Sequence, residues 1–352
     1  MEQKTMKAVV YHGPGDLRLD NVPVPKIIEP DDAIIRVTTS TICGTDIHIQ
    51  HGGLPEVKPG RVIGHEFCGE VIEVGPNVRN TKVGDRVAVS AITQCGECFY
   101  CLLGQYSQCT TGSWILGHKI DGCQAEYVRV PHANMGLHLI PDGLSEEDVL
   151  FVGDILSTGY FGAEQGRIKP GDTVAVMGSG PVGMSAMATA KLWGPAQIIA
   201  VDMSQERLDI ALKEGIADVA INPTKENAAE KIRELTQGRG ADVTIEAVGV
   251  KGTYELALDA VRPGGNVSII GVFEQPQELA MNKLWIKNIN LSMGLVNANH
   301  IPELIKLIEK GKINTNFMIT HRAPLNDILT GYDVFGNKKD GCLKWIVTPY
   351  QK

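Results

Sequence analysis

Two patterns of apolar and polar positions divide the chain. From Met6 to about Asp154, short apolar runs (KAVVYHGPGD, DDAIIRVTT, GEVIEVG, GDRVAVS, AEYVRVP) are broken by Gly, Pro and Asp, and helical periodicity is scarce. Such punctuation predicts a β-rich domain of barrel-like or irregular sandwich type. At Thr158 the texture changes. GYFGAEQGRIKPGD reads as a helix ending in a Pro-Gly turn, and apolar strands at 174–177, 198–201, 219–221, 243–247, 267–270 and about 289–293 then alternate with helical patterns such as SQERLDIALKEG and TKENAAEKIRELTQG. Six strands in this alternation match a complete doubly wound α/β domain built on a parallel sheet. Beyond about Asn297, IPELIKLIEKGKI reads as a helix and CLKWIVTPY as a strand, too little for a third domain. The expected boundaries are therefore 1–155 for the β-rich domain, 156–297 for the α/β domain, and a return of 298–352 to complete the first.

The strand at 174–177 opens onto Gly178-Ser-Gly180-Pro181-Val182-Gly183, an apolar helix and a second buried strand ending in Asp202. In a βαβ unit of this kind the first glycine permits the tight turn and the second lets backbone N–H groups approach a pyrophosphate. The third brings helix and strand close together. Asp202 stands where a carboxylate accepts hydrogen bonds from the adenosine ribose and repels a 2′-phosphate, so NAD is expected over NADP. Glycines of this spacing also punctuate ordinary loops; the two flanking apolar strands and the closing acid are what point to a dinucleotide.

Composition narrows the picture without adding chemistry. A net charge of −8 with no basic stripe argues against nucleic acid as a partner. The N-terminal run lacks a signal-peptide core and no apolar stretch is long enough to cross a bilayer, so no membrane role and a cytoplasmic location are expected. Of eight cysteines, Cys95, Cys98, Cys101 and Cys109 crowd into one short loop at about 94–112. Four thiolates at this spacing surround zinc tetrahedrally and leave no position for substrate, which makes the site structural. A redox Cys-x-x-Cys pair would leave two of them unexplained. Cys43, His65 and Asp154 are ligand types for an open three-residue zinc shell, but spacing alone does not group them. A His after Gly also suits a turn, and an Asp before an apolar run also suits a helix cap.

Gly64-His65-Glu66 followed by Gly69 and Gly75, the four-cysteine lobe and the Gly178–Gly183 turn, in that order, resemble the zinc-dependent alcohol dehydrogenases of the medium-chain dehydrogenase/reductase superfamily over essentially the full length. The resemblance implies a GroES-like catalytic domain plus a Rossmann domain, two zinc ions per subunit and NAD. Asp154 stands where the version with two Cys and one His has its second Cys. The stretch Asp154-Ile-Leu-Ser-Thr158-Gly-Tyr160 is similar to the bacterial secondary-alcohol branch and to the formaldehyde dehydrogenase branch, whose long insertion is missing here.

By this resemblance Cys43, His65 and Asp154 ligate the catalytic zinc. Thr45 and His48 relay the alcohol proton to water by way of the nicotinamide ribose. Asp46 accepts from the other ring nitrogen of His65, and Glu66 lies near the metal as an outer group or transient ligand. Thr158, Gly178, Gly180, Pro181, Val182, Gly183, Asp202 and Arg207 form the cofactor-binding set, and Trp114 a pocket wall. The implied reaction is hydride transfer between NAD and a small primary or secondary alcohol or its carbonyl product. The runner-up is a 2,3-butanediol, sorbitol or threonine dehydrogenase, against which the apolar Trp114, Ile155 and Leu295 speak weakly, or a relative of the glutathione-independent formaldehyde dehydrogenases. A non-enzymatic NAD-binding protein is disfavoured because every ligand and relay residue is present. The resemblance also implies a homo-oligomer, a tetramer before a dimer, built through the nucleotide-binding domains.

Overall fold

The computed structural model describes residues 4–350. The chain forms two compact units, one from the chain up to Ser157 together with the stretch from Val296, the other from Thr158–Leu295. The assignment of 1–3 and 351–352 to the first domain lies outside the described residues.

The first unit is built on two sheets. Strands β1 (Thr5–Gly13), β2 (Asp16–Pro23), β3 (Ala33–Thr41), β4 (Arg61–Val62), β5 (Phe67–Val74), β6 (Arg86–Val89), β7 (Tyr127–Val130) and β8 (Leu137–Leu139) come from the punctuated N-terminal runs. Three of them form an antiparallel sheet in the order β2-β1-β4. The rest join a seven-stranded sheet with the order β15-β16-β3-β5-β6-β8, where β15 is Ile319–Pro324, β16 is Lys344–Thr348, and β7 pairs with β3 off this path. Alternation along β3 and β5 turns Ile35, Val37, Phe67 and Val71 into one core with Val87 and Val89.

The C-terminal stretch does return to this unit, but with more structure than one helix and one strand. A helix at Ile301–Glu309 is followed by β15, a second helix at Ile328–Gly336, and β16, which pairs antiparallel with the end of β3. Strand β15 (ITHRAP) carries no apolar alternation, whereas the second helix (ILTGYDVFG) turns Ile328, Tyr332 and Phe335 to one face; both are held by the tertiary contacts of β16 and of Tyr332 and Leu325 in the core around Ile42 and Ile49.

In the second unit β9 (Thr173–Met177), β10 (Gln197–Val201), β11 (Val219–Ile221), β12 (Ala241–Glu246), β13 (Val261–Ile269) and β14 (Asn290–Met293) are all parallel, in the order β11-β10-β9-β12-β13-β14. This is the strand order of a dinucleotide-binding sheet, with the reversal between β9 and β12 and the turn after β9 at that switch point. Strand β13 begins at Val261, earlier than its apolar run at 267–270 implies, because Arg262-Pro263-Gly264-Gly265 extends alongside β12 across a register shift.

His138 on β8 has its Nε2 buried without a hydrogen-bond partner, and burial pushes its pKa down from 6.5 to about 4. An unfolded chain therefore binds a proton that the folded one refuses between these values, so stability falls as pH drops from 6.5 towards 4. Replacing His138 with Leu is expected to flatten the dependence of the urea midpoint on pH within that window, measured against the parent protein.

Candidate active site and dinucleotide turn

Each member of the open ligand set is delivered by a different element. Cys43 follows β3 and caps the helix Gly44–Gln50, where its backbone N–H donates to Asp46 Oδ2 at 2.9 Å. His65 follows β4 through Gly64, whose φ of +97° and lack of a side chain are both required: a Cβ there would lie 2.6 Å from Gln124 Cγ. Asp154 follows a single 3₁₀ turn, and Gly153 lets that turn abut β6, since a Cβ on it would lie 2.1 Å from the Val89 carbonyl oxygen.

These three residues converge. One ligand atom from each lies within 4.8 Å of the others, with Asp154 Oδ2 at 3.4 Å from Cys43 Sγ and 3.3 Å from His65 Nε2. On the far side of the ring, His65 Nδ1 faces Asp46 Oδ1 at 3.5 Å. Each ring nitrogen therefore faces a carboxylate, and were a cation to take the place of the Nε2 proton among the three ligand atoms, Asp46 is the acceptor for the proton left on Nδ1. Burial alone would lower the His65 pKa, but Asp46 and Asp154 outweigh it and hold the ring well above its usual value. Burial, with the Asp154 carboxylate, pushes the Cys43 thiol up, while Asp154 is held low against its own burial by hydrogen bonding to His65. A soft sulfur, an imidazole and a carboxylate concentrated in one buried spot fit a divalent zinc-type cation, with a fourth direction left free.

The second cluster has a different character. One sulfur atom from each of Cys95, Cys98, Cys101 and Cys109 lies within 4.8 Å of the rest, and Cys95 and Cys101 Sγ are 3.9 Å apart. A tetrahedron with metal–sulfur bonds of about 2.3 Å has edges of about 3.8 Å. Backbone N–H groups aim at the sulfurs, Cys95 N at Cys109 Sγ (3.3 Å) and Cys98 N at Cys95 Sγ (3.4 Å). Backbone hydrogen bonds from Thr110 and Cys101 lower the Cys98 thiol to about 6, whereas burial lifts Cys101 to about 12. Four sulfurs fit a closed shell.

Thr45 and His48 lie half-buried in the helix Gly44–Gln50, which begins just after Cys43. Trp114 stands edge-on to His65 with ring centroids 5.8 Å apart and stacks on His118 at 4.5 Å. Glu66 is buried, and its Oε2 accepts from Lys344 Nζ at 2.6 Å. Lys344 also donates to the Ile42 carbonyl at 3.0 Å and lies over the Phe151 ring. Burial raises the Glu66 carboxyl to about 7 against the pull of the ammonium, and Glu66 in turn keeps Lys344 protonated in spite of its burial. Sequence reasoning missed Lys344; the signal was a single charge inside the apolar run CLKWIVTPY, which burial obliges to find a partner.

In the second unit Gly178 adopts φ +101° immediately after β9, and Gly180 caps the helix Pro181–Ala190, with Pro181 in its first turn and Val182 following. A Cβ on Gly183 would lie 1.9 Å from the Gly178 carbonyl oxygen, so only glycine permits this approach. Asp202, just past β10, accepts from the Ser179 N–H at 2.6 Å and the Ser204 N–H at 2.8 Å. Arg207, in the helix Gln205–Lys213, brings Nη1 near Gly180, and Thr158 lies half-buried in the helix Ile155–Gln165.

The family descriptions for the alcohol dehydrogenase GroES-like domain and for the zinc-binding dehydrogenases match residues 29–142 and 181–310. An alcohol dehydrogenase of Cupriavidus necator is 40% identical over 98% of this chain and 99% of its own length. The chain belongs to the zinc-type alcohol dehydrogenases. This dehydrogenase shares 42% identity and a TM-score of 0.94 with the zinc-dependent alcohol dehydrogenase 2 of Streptococcus pneumonia, over 99% of each chain. A protein from Sinorhizobium meliloti 1021 solved with NADP bound is 30% identical, with a TM-score of 0.88 over 99% of this chain and 100% of its own. The fold is the GroES-like plus Rossmann pair, and the protein is an oxidoreductase of alcohols that uses zinc and a nicotinamide dinucleotide.

Breaking the Lys344–Glu66 pair from one side leaves a buried carboxylate without its cation. Lys344→Met is expected to destabilise the protein by about 3–5 kcal/mol. The double variant Lys344→Met/Glu66→Gln should recover most of that loss, as read from urea unfolding of all three proteins.

Proposed function

We propose that this dehydrogenase oxidises small primary or secondary alcohols with NAD, or reduces the corresponding carbonyl compounds, at the site formed by Cys43, His65 and Asp154. The observation that carries the reading is the convergence of these three ligand atoms within 4.8 Å, from three separate elements, with no fourth member in the group among the described residues. Zinc bound there supplies Lewis-acid polarisation of the substrate oxygen, and the nicotinamide supplies the hydride chemistry. Asp46 keeps the proton on His65 Nδ1. Thr45 accepts the proton released by the alcohol and His48 passes it to water; Glu66, held by Lys344, contributes negative charge beside the ligands. Trp114 forms the apolar wall against the substrate. The four cysteines hold the second zinc and shape the lobe around it.

The dinucleotide pyrophosphate lies over the Gly178–Gly183 turn at the N-terminus of the helix Pro181–Ala190, with Arg207 and Thr158 as further cofactor contacts. Asp202 supports NAD: both of its oxygens are fixed by backbone donors, so the charge cannot swing away from a 2′-phosphate. A second reading, a polyol or diol substrate, is favoured by Trp114 Nε1 and His118 Nε2, both buried without a protein hydrogen-bond partner. A second substrate hydroxyl would satisfy such a group. Eight cysteines in the chain, four of them gathered as thiolate ligands in one lobe, suit a reducing compartment, which supports the cytoplasm as the place of action.

Initial rates with ethanol, 2-propanol, 2,3-butanediol, sorbitol and L-threonine, each with NAD and NADP and before and after chelation, test both readings. Chelator-sensitive turnover of the simple alcohols with NAD ahead is the expected result, and a preference for sorbitol or the diol would move the substrate to the second reading. Asp202→Asn removes the charge and keeps one of the two acceptor oxygens that hold the Ser179 and Ser204 N–H groups; about a tenfold rise in the NADP-to-NAD ratio of kcat/KM is expected, equivalent to about 1.4 kcal/mol.

We also propose a homotetramer. Strand β14 is the edge of its sheet, and Met281, Trp285, Ile286 and Met293 near it expose 63, 70, 67 and 64% of their surface. Phe99, Leu102 and Leu103 form a separate exposed apolar face on the cysteine lobe. Two distinct self-complementary patches suit a dihedral tetramer, and the edge strand favours pairing through the dinucleotide unit. Light scattering should give four times the chain mass, falling to a smaller species in Trp285→Glu/Met293→Glu.

A further inference from the structure

One buried polar chain beside the zinc site has no part in the reading above. Gln124, with no exposed surface, donates through Nε2 to Asp46 Oδ2 at 3.0 Å and to the Thr41 carbonyl at 3.3 Å. Its Oε1 accepts from the Tyr332 hydroxyl at 2.6 Å. Tyr332 is buried in the helix Ile328–Gly336, contributed by the C-terminal stretch. Burial and the nearby Asp46 carboxylate hold its phenol well above the ordinary range, so it stays a neutral donor.

The geometry of Asp46 depends on this chain. A buried carboxylate rotates about its terminal torsion unless its oxygens are distinguished by their partners. Here Oδ2 receives two donors, Cys43 N and Gln124 Nε2, and Oδ1 is left facing His65 Nδ1. The amide of Gln124 is itself unambiguous: Asp46 Oδ2 and the Thr41 carbonyl are both acceptors, so its NH₂ must face them and its oxygen must face Tyr332. Backbone bonds from Gln124 N to the Ile63 carbonyl (3.0 Å) and from Cys123 N to the Gly64 carbonyl (3.0 Å) tie the same residue to the segment that delivers His65.

We propose that Gln124 and Tyr332 are positioning residues of the catalytic zinc site, fixing the Asp46 carboxylate so that His65 keeps its proton on Nδ1 and presents Nε2 to the metal. The proposal rests on the zinc-site reading of Cys43, His65 and Asp154. It adds a function for the C-terminal helix: the Tyr332 hydroxyl locks an amide whose other end orients the carboxylate behind a metal ligand.

The test uses the full-length, zinc-loaded protein and follows release of both ions to a chromophoric chelator, the four-cysteine lobe serving as internal reference. Gln124→Glu has the same size but sets an acceptor against Asp46; Tyr332→Phe removes only the hydroxyl. One ion of the two is expected to leave about 10- to 100-fold faster in Gln124→Glu. The same ion should leave faster, by a smaller factor, in Tyr332→Phe, with the lobe ion unchanged in both. In the cobalt-substituted protein the visible absorption assigned to the cysteine-histidine-aspartate site should shift in Gln124→Glu. Wild-type release of both ions in both variants would overturn the proposal, and so would equal acceleration of the two ions, which marks general loosening. Cys43→Ser separates the two levels. If it still binds two ions, the zinc-site reading itself fails; if it binds one while the Gln124 and Tyr332 variants behave as wild type, only the positioning role fails.

Discussion

The Asp46 carboxylate is the constraint on which the cluster of Cys43, His65 and Asp154 depends. Its side chain is 1% exposed, and a charge so buried persists only where hydrogen bonds or opposite charges replace water. Cys43 N–H, Gln124 Nε2 and the His65 ring do so from three directions. The same contacts that satisfy the acid also fix the start of the helix Gly44–Gln50, the position of Cys43 and the carboxylate oxygen that His65 Nδ1 faces. Stability and site geometry are here one set of bonds, which is why the ligands are already gathered by the protein's own interactions.

The dinucleotide turn follows the same logic in the other unit. Asp202 grips the Ser179 and Ser204 N–H groups and so braces the glycine turn from beneath, while Gly183 permits the helix to close on the Gly178 carbonyl. A carboxylate orders backbone donors, and the ordered backbone then offers its remaining donors at the positive end of a helix. The rigidity of the turn and a fixed negative charge at the end of β10 thus reside in one side chain.

The C-terminal stretch ties the catalytic unit together. Strand β16 pairs with the end of β3, next to Cys43, and carries Lys344 to Glu66; the preceding helix carries Tyr332 to Gln124. Both are buried polar side chains that would be unfavourable without their partners. Their presence shows that this segment braces the surroundings of two neighbouring residues, His65 and Glu66, as well as completing a sheet.

Much was legible along the chain because its causes are local. The four cysteines lie within one loop, the glycines of the turn act on their own backbone, and the strand order of the second unit follows from alternation of strands and helices with right-handed crossovers. By their own spacing Asp154, His65 and Cys43 were visible only as residue types, and the family resemblance alone grouped them; in the fold they are brought together by the register of β3, β5 and β6 and two glycine-permitted contacts. Lys344 and Tyr332 act across 278 and 208 residues of sequence, and β15 lacks any apolar alternation of its own. By itself the sequence determined the two-domain plan, the closed cysteine cluster and the dinucleotide turn, each set by short-range spacing and backbone geometry. Only the tertiary structure decided which buried polar groups meet, because an unsatisfied charge or amide in the core is resolved by whichever partner packing brings within hydrogen-bond reach.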